Sequence, residues 1–152
     1  MKPKKIQTLI VLFALLVIGF LYQLPTSVIK TKKNQDEIQS AVSVEKALAL
    51  LEGANPMEGV FMFREILEND SKNTEALYYL GVLSNQTGQY KNAIERFNQL
   101  ITIDSSDKRA YLQLGISNHQ LGYTKKADSL FRIVKETEDE LLIKELNIFL
   151  TK

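Results

Sequence analysis

The chain has 152 residues, and its 19 Lys and Arg against 18 Asp and Glu leave a formal net charge of +1. That length fits one domain, and the near-neutral balance offers no field that would recruit nucleic acid. There is no Cys, which excludes a disulfide, a thiolate nucleophile and a Cys-ligated metal site.

Residues 1–5 form a basic tail carrying Lys2, Lys4 and Lys5. Residues 6–24 (IQTLIVLFALLVIGFLYQL) contain no charge. As a helix they would extend roughly 28 Å at about 1.5 Å per residue, close to the ~30 Å hydrocarbon thickness of a bilayer. Tyr22 sits near the far end, where an aromatic ring favours the interface. A secretory signal shares the charged start and apolar core, but it needs small residues at its cleavage site. The following Leu24-Pro25-Thr26-Ser27-Val28 offers no Ala-x-Ala, so the expectation is an uncleaved transmembrane anchor.

Lys30, Lys32 and Lys33 follow the span, so basic residues flank it on both sides. A short basic tail ahead of a folded domain tends to leave the tail in the cytoplasm. This places the chain as a single-pass protein of an inner, cytoplasmic membrane, with its body on the periplasmic side if the source is bacterial. Three of the 19 basic residues precede Leu24 and every acid follows it, so the remainder is weakly acidic and unsuited to a phosphate backbone.

Residues 25–35 are polar, begin with Pro25 and show no apolar period, which reads as a tether. Asp36 or a neighbour can cap a helix with Ile38, Ala41, Val42, Leu48 and Leu51 on one face, ended by Gly53 and Asn55. A second helix is expected over 56–69. Asn55 can cap it, Pro56 suits its first position, and Glu58 can reach back to the cap. Val60, Phe63, Ile66 and Leu67 would face inward.

A fixed step of thirty-four residues then appears. Ala76 falls on Ala110, Leu80 and Gly81 on Leu114 and Gly115, Gly88 on Gly122, Ala93 on Ala127, and Phe97 on Phe131. A period of this size marks a stacked helical repeat. Helices are expected over 74–87 and 90–103, then over 108–121 and 124–136. Gly81 and Gly115 would let the second helix of each pair approach the first, and Gly88 and Gly122 would make the turns. Phe63 set over Phe97 extends the step backward, giving repeats over 40–73, 74–107 and 108–138 within a domain of 36–152. Residues 139–150 place Leu141, Leu142, Leu146, Phe149 and Leu150 at helical spacing, as expected of a helix that caps the last repeat.

Small residues at the eighth and twentieth positions, with Phe at the twenty-fourth, resemble the tetratricopeptide repeat (TPR). Ala47 stands where that family uses Gly, and Gly59 where it uses Ala. The resemblance implies an all-α fold: the transmembrane helix, a solenoid of about three helical hairpins, and the capping helix. It also implies a binding scaffold whose inner groove is lined by the first helix of each repeat. Carried onto this sequence, the groove positions include Val44, Leu48, Tyr78, Val82, Leu112 and Ile116, all apolar, with Glu75, Asn85, Gln86, Arg109, Gln113 and His119 around them. The family's Lys, Asn and Arg pattern for gripping a peptide C-terminus is not reproduced. An apolar groove rimmed by amides suits a helix or hydrophobic segment of another protein. The same stripe would equally be covered by the terminal helix, the tether or a second copy of the chain.

Catalysis has little to build on. His119 is the only His, with no second imidazole or thiolate for a metal. Ser84, Ser105, Ser106 and Ser129 lack an activating motif. Glu136, Glu138, Asp139 and Glu140 suit a helix start, where negative charge meets the dipole. The expectation is no enzyme, no cofactor and no metal. It is instead a membrane-tethered scaffold or adaptor for an unidentified protein in envelope assembly. A self-associating structural subunit is the alternative, and in layout the anchored apoprotein-presenting repeats of cytochrome c maturation look similar.

Overall fold

The structure is a computed structural model that describes residues 43–151. The expected anchor over 6–24, the tether over 25–35 and the cap at Asp36 lie outside the described residues. Among the described residues there are seven helices and no strand. They are α1 (43–52), α2 (Pro56–Asn69), α3 (Thr74–Gln86), α4 (Tyr90–Ile103), α5 (Lys108–Gln120), α6 (Thr124–Lys135) and α7 (Glu140–Leu150). None of them is long and apolar enough to cross a membrane.

Local chemistry sets where these helices begin and stop. Asn73, Asp107 and Asp139 each accept a backbone N–H from the first turn they precede, at 3.0 Å from Ala76, Arg109 and Leu142. Each capped donor is one of the four that a helix N-terminus otherwise leaves unpaired. At the other end, Gly88 and Gly122 take φ of 73° and 78°, where a Cβ is disfavoured. Their N–H groups bond to Asn85 and His119, and the next N–H groups, of Gln89 and Tyr123, bond back to Ser84 and Asn118. This paired closure satisfies the last carbonyls of α3 and α5 and turns the chain into the following helix.

Pro56 opens α2, but the Asn55 side chain makes no capping bond there; the Asn55 carbonyl instead accepts from the Glu58 N–H at 3.0 Å. Asp70 and Asp104 stand between repeats, where a Pro would stiffen the turn. Asp104 accepts from both the N–H (2.8 Å) and the hydroxyl (2.6 Å) of Ser106, and Asp70 accepts from the Lys72 N–H. The Ser106 bonds hold the Asp104 carboxyl below its ordinary range. A carboxylate brace thus replaces the ring.

The core has three centres, each built around one Phe. Phe63 is fully buried with Ala47, Ile66, Ala76 and Leu80. Phe97 is enclosed by Leu77, Ala93, Leu100, Ala110 and Leu114, and Phe131 by Leu112, Ala127, Val134, Leu142 and Leu146. Every centre takes residues from a hairpin and from the helix after it. Each repeat therefore completes its core only by stacking on the next, which is how a solenoid gains stability.

Small residues make that nesting sterically feasible. A Cβ on Gly81 would lie 2.6 Å from the Phe97 ring, and Gly115 leaves the same room for Phe131. In the first repeat the arrangement is exchanged. A Cβ on Gly59 would lie 2.6 Å from the Ala47 carbonyl oxygen, so here the second helix lies against the backbone of the first.

The last helix differs from the expected apolar pattern. Leu142 and Leu146 are buried and Phe149 is half-buried, but Leu141 is 80% exposed and Leu150 is 47% exposed. Leu141 and Leu142 differ by about 100° around the axis, so only one of them can face Phe131.

Candidate protein-binding groove

The proposed groove residues belong to the faces that α1, α3 and α5 present side by side. Residues four apart in a helix stack on one face, so Val44 with Leu48, Tyr78 with Val82, and Leu112 with Ile116 form three short ridges. Val44 and Leu48 are half-buried against the Phe63 centre. Tyr78 and Val82 are half-buried against the Phe97 centre. Tyr78 meets Tyr79 edge-on at 5.3 Å and Phe97 at 6.2 Å between ring centres. Gln86 is exposed at the end of this ridge.

The third ridge is covered. Leu112 is fully buried beneath Leu142 and Leu146, Ile116 packs on the same cluster, and the exposed His119 stands edge-on to Phe149 at 5.3 Å. The capping helix thus occupies the repeat-three part of the expected groove. Leu112 is withdrawn from any partner, whereas Ile116 stays half-buried, as Tyr78 and Val82 are.

A polar seam joins α3, α5 and α7. Asn85 donates to the carbonyl and the side-chain oxygen of Gln113, both at 3.1 Å. The Ser117 hydroxyl donates to Asn85 Oδ1 at 2.7 Å, and Gln113 Nε2 donates to Glu145 Oε1 at 3.0 Å. Gln113 is only 8% exposed and Ser117 is fully buried, so partners are required. Among the described residues no buried side-chain nitrogen or oxygen is left unpaired. The Gln113–Glu145 bond adds a polar tie between α5 and α7 to their apolar contact.

Arg109 anchors the mouth of the groove. Its Nη2 lies 2.6 Å from Glu75 and 2.7 Å from Asp107, its Nε donates to Asp107 at 3.0 Å, and its guanidinium carbon lies 4.5 Å from the Tyr78 ring centre. Hydrogen bonds donated to Asp107 first, then to Glu75, fix the guanidinium in its charged form. Burial pushes the Tyr78 phenol up to about 12; the Glu145 carboxylate adds to this and Arg109 opposes it.

This arrangement decides what charge the groove accepts. Both faces of the Arg109 fork are already committed to carboxylates of the same chain, so it is not poised to grip a peptide C-terminus. Glu75, Asp107 and Glu145 outnumber the one guanidinium beside Tyr78, which leaves the patch net acidic. Among the described residues no group of three or more His, Cys, Asp or Glu is placed to hold a metal ion.

The structure therefore gathers Tyr78, Asn85, Arg109 and Gln113 into one patch and holds Val44 and Leu48 at a separate centre. It also adds Asp107, Ser117 and Glu145, which periodicity does not single out. Asp107 could have been found as the capping residue ahead of Lys108; Glu145 carries no signal in the sequence.

Residues 85–122 match the family model of the TPR repeat. The fold is an all-α, TPR-like solenoid. It superposes on the second TPR of Spaghetti (RPAP3) bound to the HSP90 peptide SRMEEVD, with a TM-score of 0.59 and 16% identity, over 66% of this chain and 94% of that one. No curated protein matches the sequence.

Proposed function

We propose that the chain is an adaptor that holds another protein through the uncovered half of its inner face. The observation that carries this is the division of that face by α7. Leu112 is fully buried, while Tyr78 and Val82 are half-buried and Gln86 is exposed beside an acidic patch. The similar RPAP3 domain binds a peptide, which supports a segment of a partner as the occupant. That peptide, SRMEEVD, is acidic, whereas the acidic patch here favours a neutral or basic segment with an apolar face. The nineteen uncharged residues 6–24 would tether the body to an inner membrane, with the repeats on the periplasmic side. Tethering raises the effective concentration for membrane-proximal partners, so weak contacts in the groove suffice.

Immunoprecipitation of the tagged full-length protein from membranes, beside a Val82→Glu variant, tests this reading. A partner recovered with wild type and lost with the variant is expected; equal recovery would remove the groove from the binding. Fractionation of the same cells tests the anchor, since a tethered protein sediments with membranes and resists alkaline extraction.

A second reading, a self-associating subunit, has one observation in its favour. Leu141, Ile148 and Leu150 are exposed on α7, and such residues on a terminal repeat favour contact with another copy. Sedimentation decides between them, because a protein that stays monomeric at high concentration is not such a subunit.

A further inference from the structure

A cleft of about 400 Å³ opens between the second helices of repeats two and three, lined in part by Ile94, Asn98, Leu114, Asn118, Lys125 and Leu130. It lies away from the inner groove. Successive helical residues turn by about 100°, which puts Leu114 and Asn118 on the side of α5 opposite Leu112 and Ile116.

The same place one repeat earlier is filled. Stepping back thirty-four residues, Leu130 becomes Arg96, Asn118 becomes Ser84 and Asn98 becomes Arg64. There the Arg96 guanidinium reaches in and donates to the Ser84 hydroxyl at 3.1 Å, while that hydroxyl donates to the Leu80 carbonyl at 2.8 Å. Burial lowers the pKa of Arg96, and neighbouring Arg64 adds to it. In the later junction Leu130 supplies no donor. Asn118 is 5% exposed, and its Nδ2 donates to the Leu114 carbonyl at 2.8 Å. None of the described residues donates to its Oδ1, which is in reach of solvent, and Asn118 lines the cleft. Arg96 supplies a donor at the earlier junction, and no described side chain does so at the later one.

Charge changes in step with shape. Glu95 becomes Ser129 and Asn92 becomes Lys126, which removes a carboxylate and adds an ammonium beside Lys125. Neither lysine forms an ion pair among the described residues. The walls between these groups are Ile94, Leu114 and Leu130, all aliphatic.

We propose that this cleft is a second docking site, for a partner segment in which a carboxylate side chain neighbours an aliphatic one. The aliphatic group fills the space that Arg96 takes in the earlier junction. The carboxylate meets Lys125 and Lys126, and a backbone N–H of the segment donates to Asn118 Oδ1. Charge-assisted bonds of this kind are the strong ones, and Asn118, held by its bond to the Leu114 carbonyl, would orient the segment.

The test uses full-length protein and two fluorescein-labelled peptide pools, one with a fixed central Leu-Glu pair and one with Leu-Lys. Saturable anisotropy with the first pool alone is expected. Affinity should fall roughly tenfold in the Lys125→Ala/Lys126→Ala double variant, and binding should vanish in Leu130→Arg, which rebuilds the filled junction. The lysines are exposed, so the double variant keeps its fold, which far-UV circular dichroism checks. Equal binding of both pools, no binding of either, or retention of affinity in both cleft variants would each overturn the proposal.

Discussion

Glu75 and Arg109 occupy the same position in consecutive repeats and meet across the stack at 2.6 Å. The thirty-four-residue period thus appears as an ion pair between equivalent sites, one acidic and one basic. Both side chains are 40% exposed, so water screens the pair and its own worth is small. Glu75→Ala should lower stability by less than about 1 kcal/mol. Arg109→Ala should cost more, about 1–3 kcal/mol, because it leaves the Asp107 carboxylate, only 8% exposed, without its counter-charge. Urea denaturation of the two variants measures the difference, and equal losses would show that Asp107 does not depend on Arg109.

The glycines should rank by what a methyl group would strike. In Gly81→Ala the added Cβ meets a ring that can shift, and the better helix propensity of Ala offsets part of an overpacking cost of ~1–3 kcal/mol. In Gly59→Ala it meets the Ala47 carbonyl and the Leu51 N–H, which move only if the helices part. Thermal melts should place Gly59→Ala below Gly81→Ala, and the reverse order would contradict the exchange of small residues in the first repeat.

Phe97 is fully buried at the middle centre and touches α3 and α5 as well as its own helix. Phe97→Ala should cost about 3–5 kcal/mol. Because each centre is shared between neighbours, hydrogen exchange should accelerate in α3 and α5 as well as in α4. Acceleration confined to α4 would mean that the repeats do not complete one another.

How far the sequence discloses this molecule depends on which contacts repeat. Gly81, Ala93 and Phe97 recur at a fixed step because each repeat solves the same packing problem, so the helices and their turns are legible to within a residue. Asp107 and Asn73 obey a local capping rule, and they too are legible once the helix start is placed. The covering of Leu112 by α7 is not. Leu141, Leu142, Leu146, Phe149 and Leu150 all lie at helical spacing, and which of them turns inward is decided by contacts with α5 and α6 that the pattern does not carry, the packing of Leu142 and Leu146 and the hydrogen bond from Gln113 to Glu145 among them. The open cleft at Asn118 is hidden for a related reason, since it arises where one repeat departs from its neighbour.

Tyr78 offers a spectroscopic check on the groove. Burial raises its phenol from the ordinary 10.0 to about 12 in the folded state. A raised pKa favours the neutral form in the folded state. The stability it contributes is therefore fully present below about pH 10 and lost as pH rises through about 12. The absorbance titration of wild type minus Tyr78→Phe should show this late transition. Glu145→Gln should move it downward, because the carboxylate is the second cause of the shift after burial. A difference curve with its midpoint near the ordinary tyrosine value would contradict the half-buried placement.

Asp139 accepts from the Leu142 N–H and starts α7, whose docking hides Leu112. Asp139→Ala should destabilise that helix by about 1 kcal/mol, the usual worth of a cap. Amide exchange within α7 should rise first, while α3 and α4 stay protected.

Photo-crosslinking from the inner face tests the division of the groove most directly. A photoreactive amino acid placed at Val82 of the full-length protein should yield an adduct with a second protein. The same group at Leu112, which is fully buried against Leu142 and Leu146 of α7, should yield none. Adducts at Leu112 with none at Val82 would contradict the division.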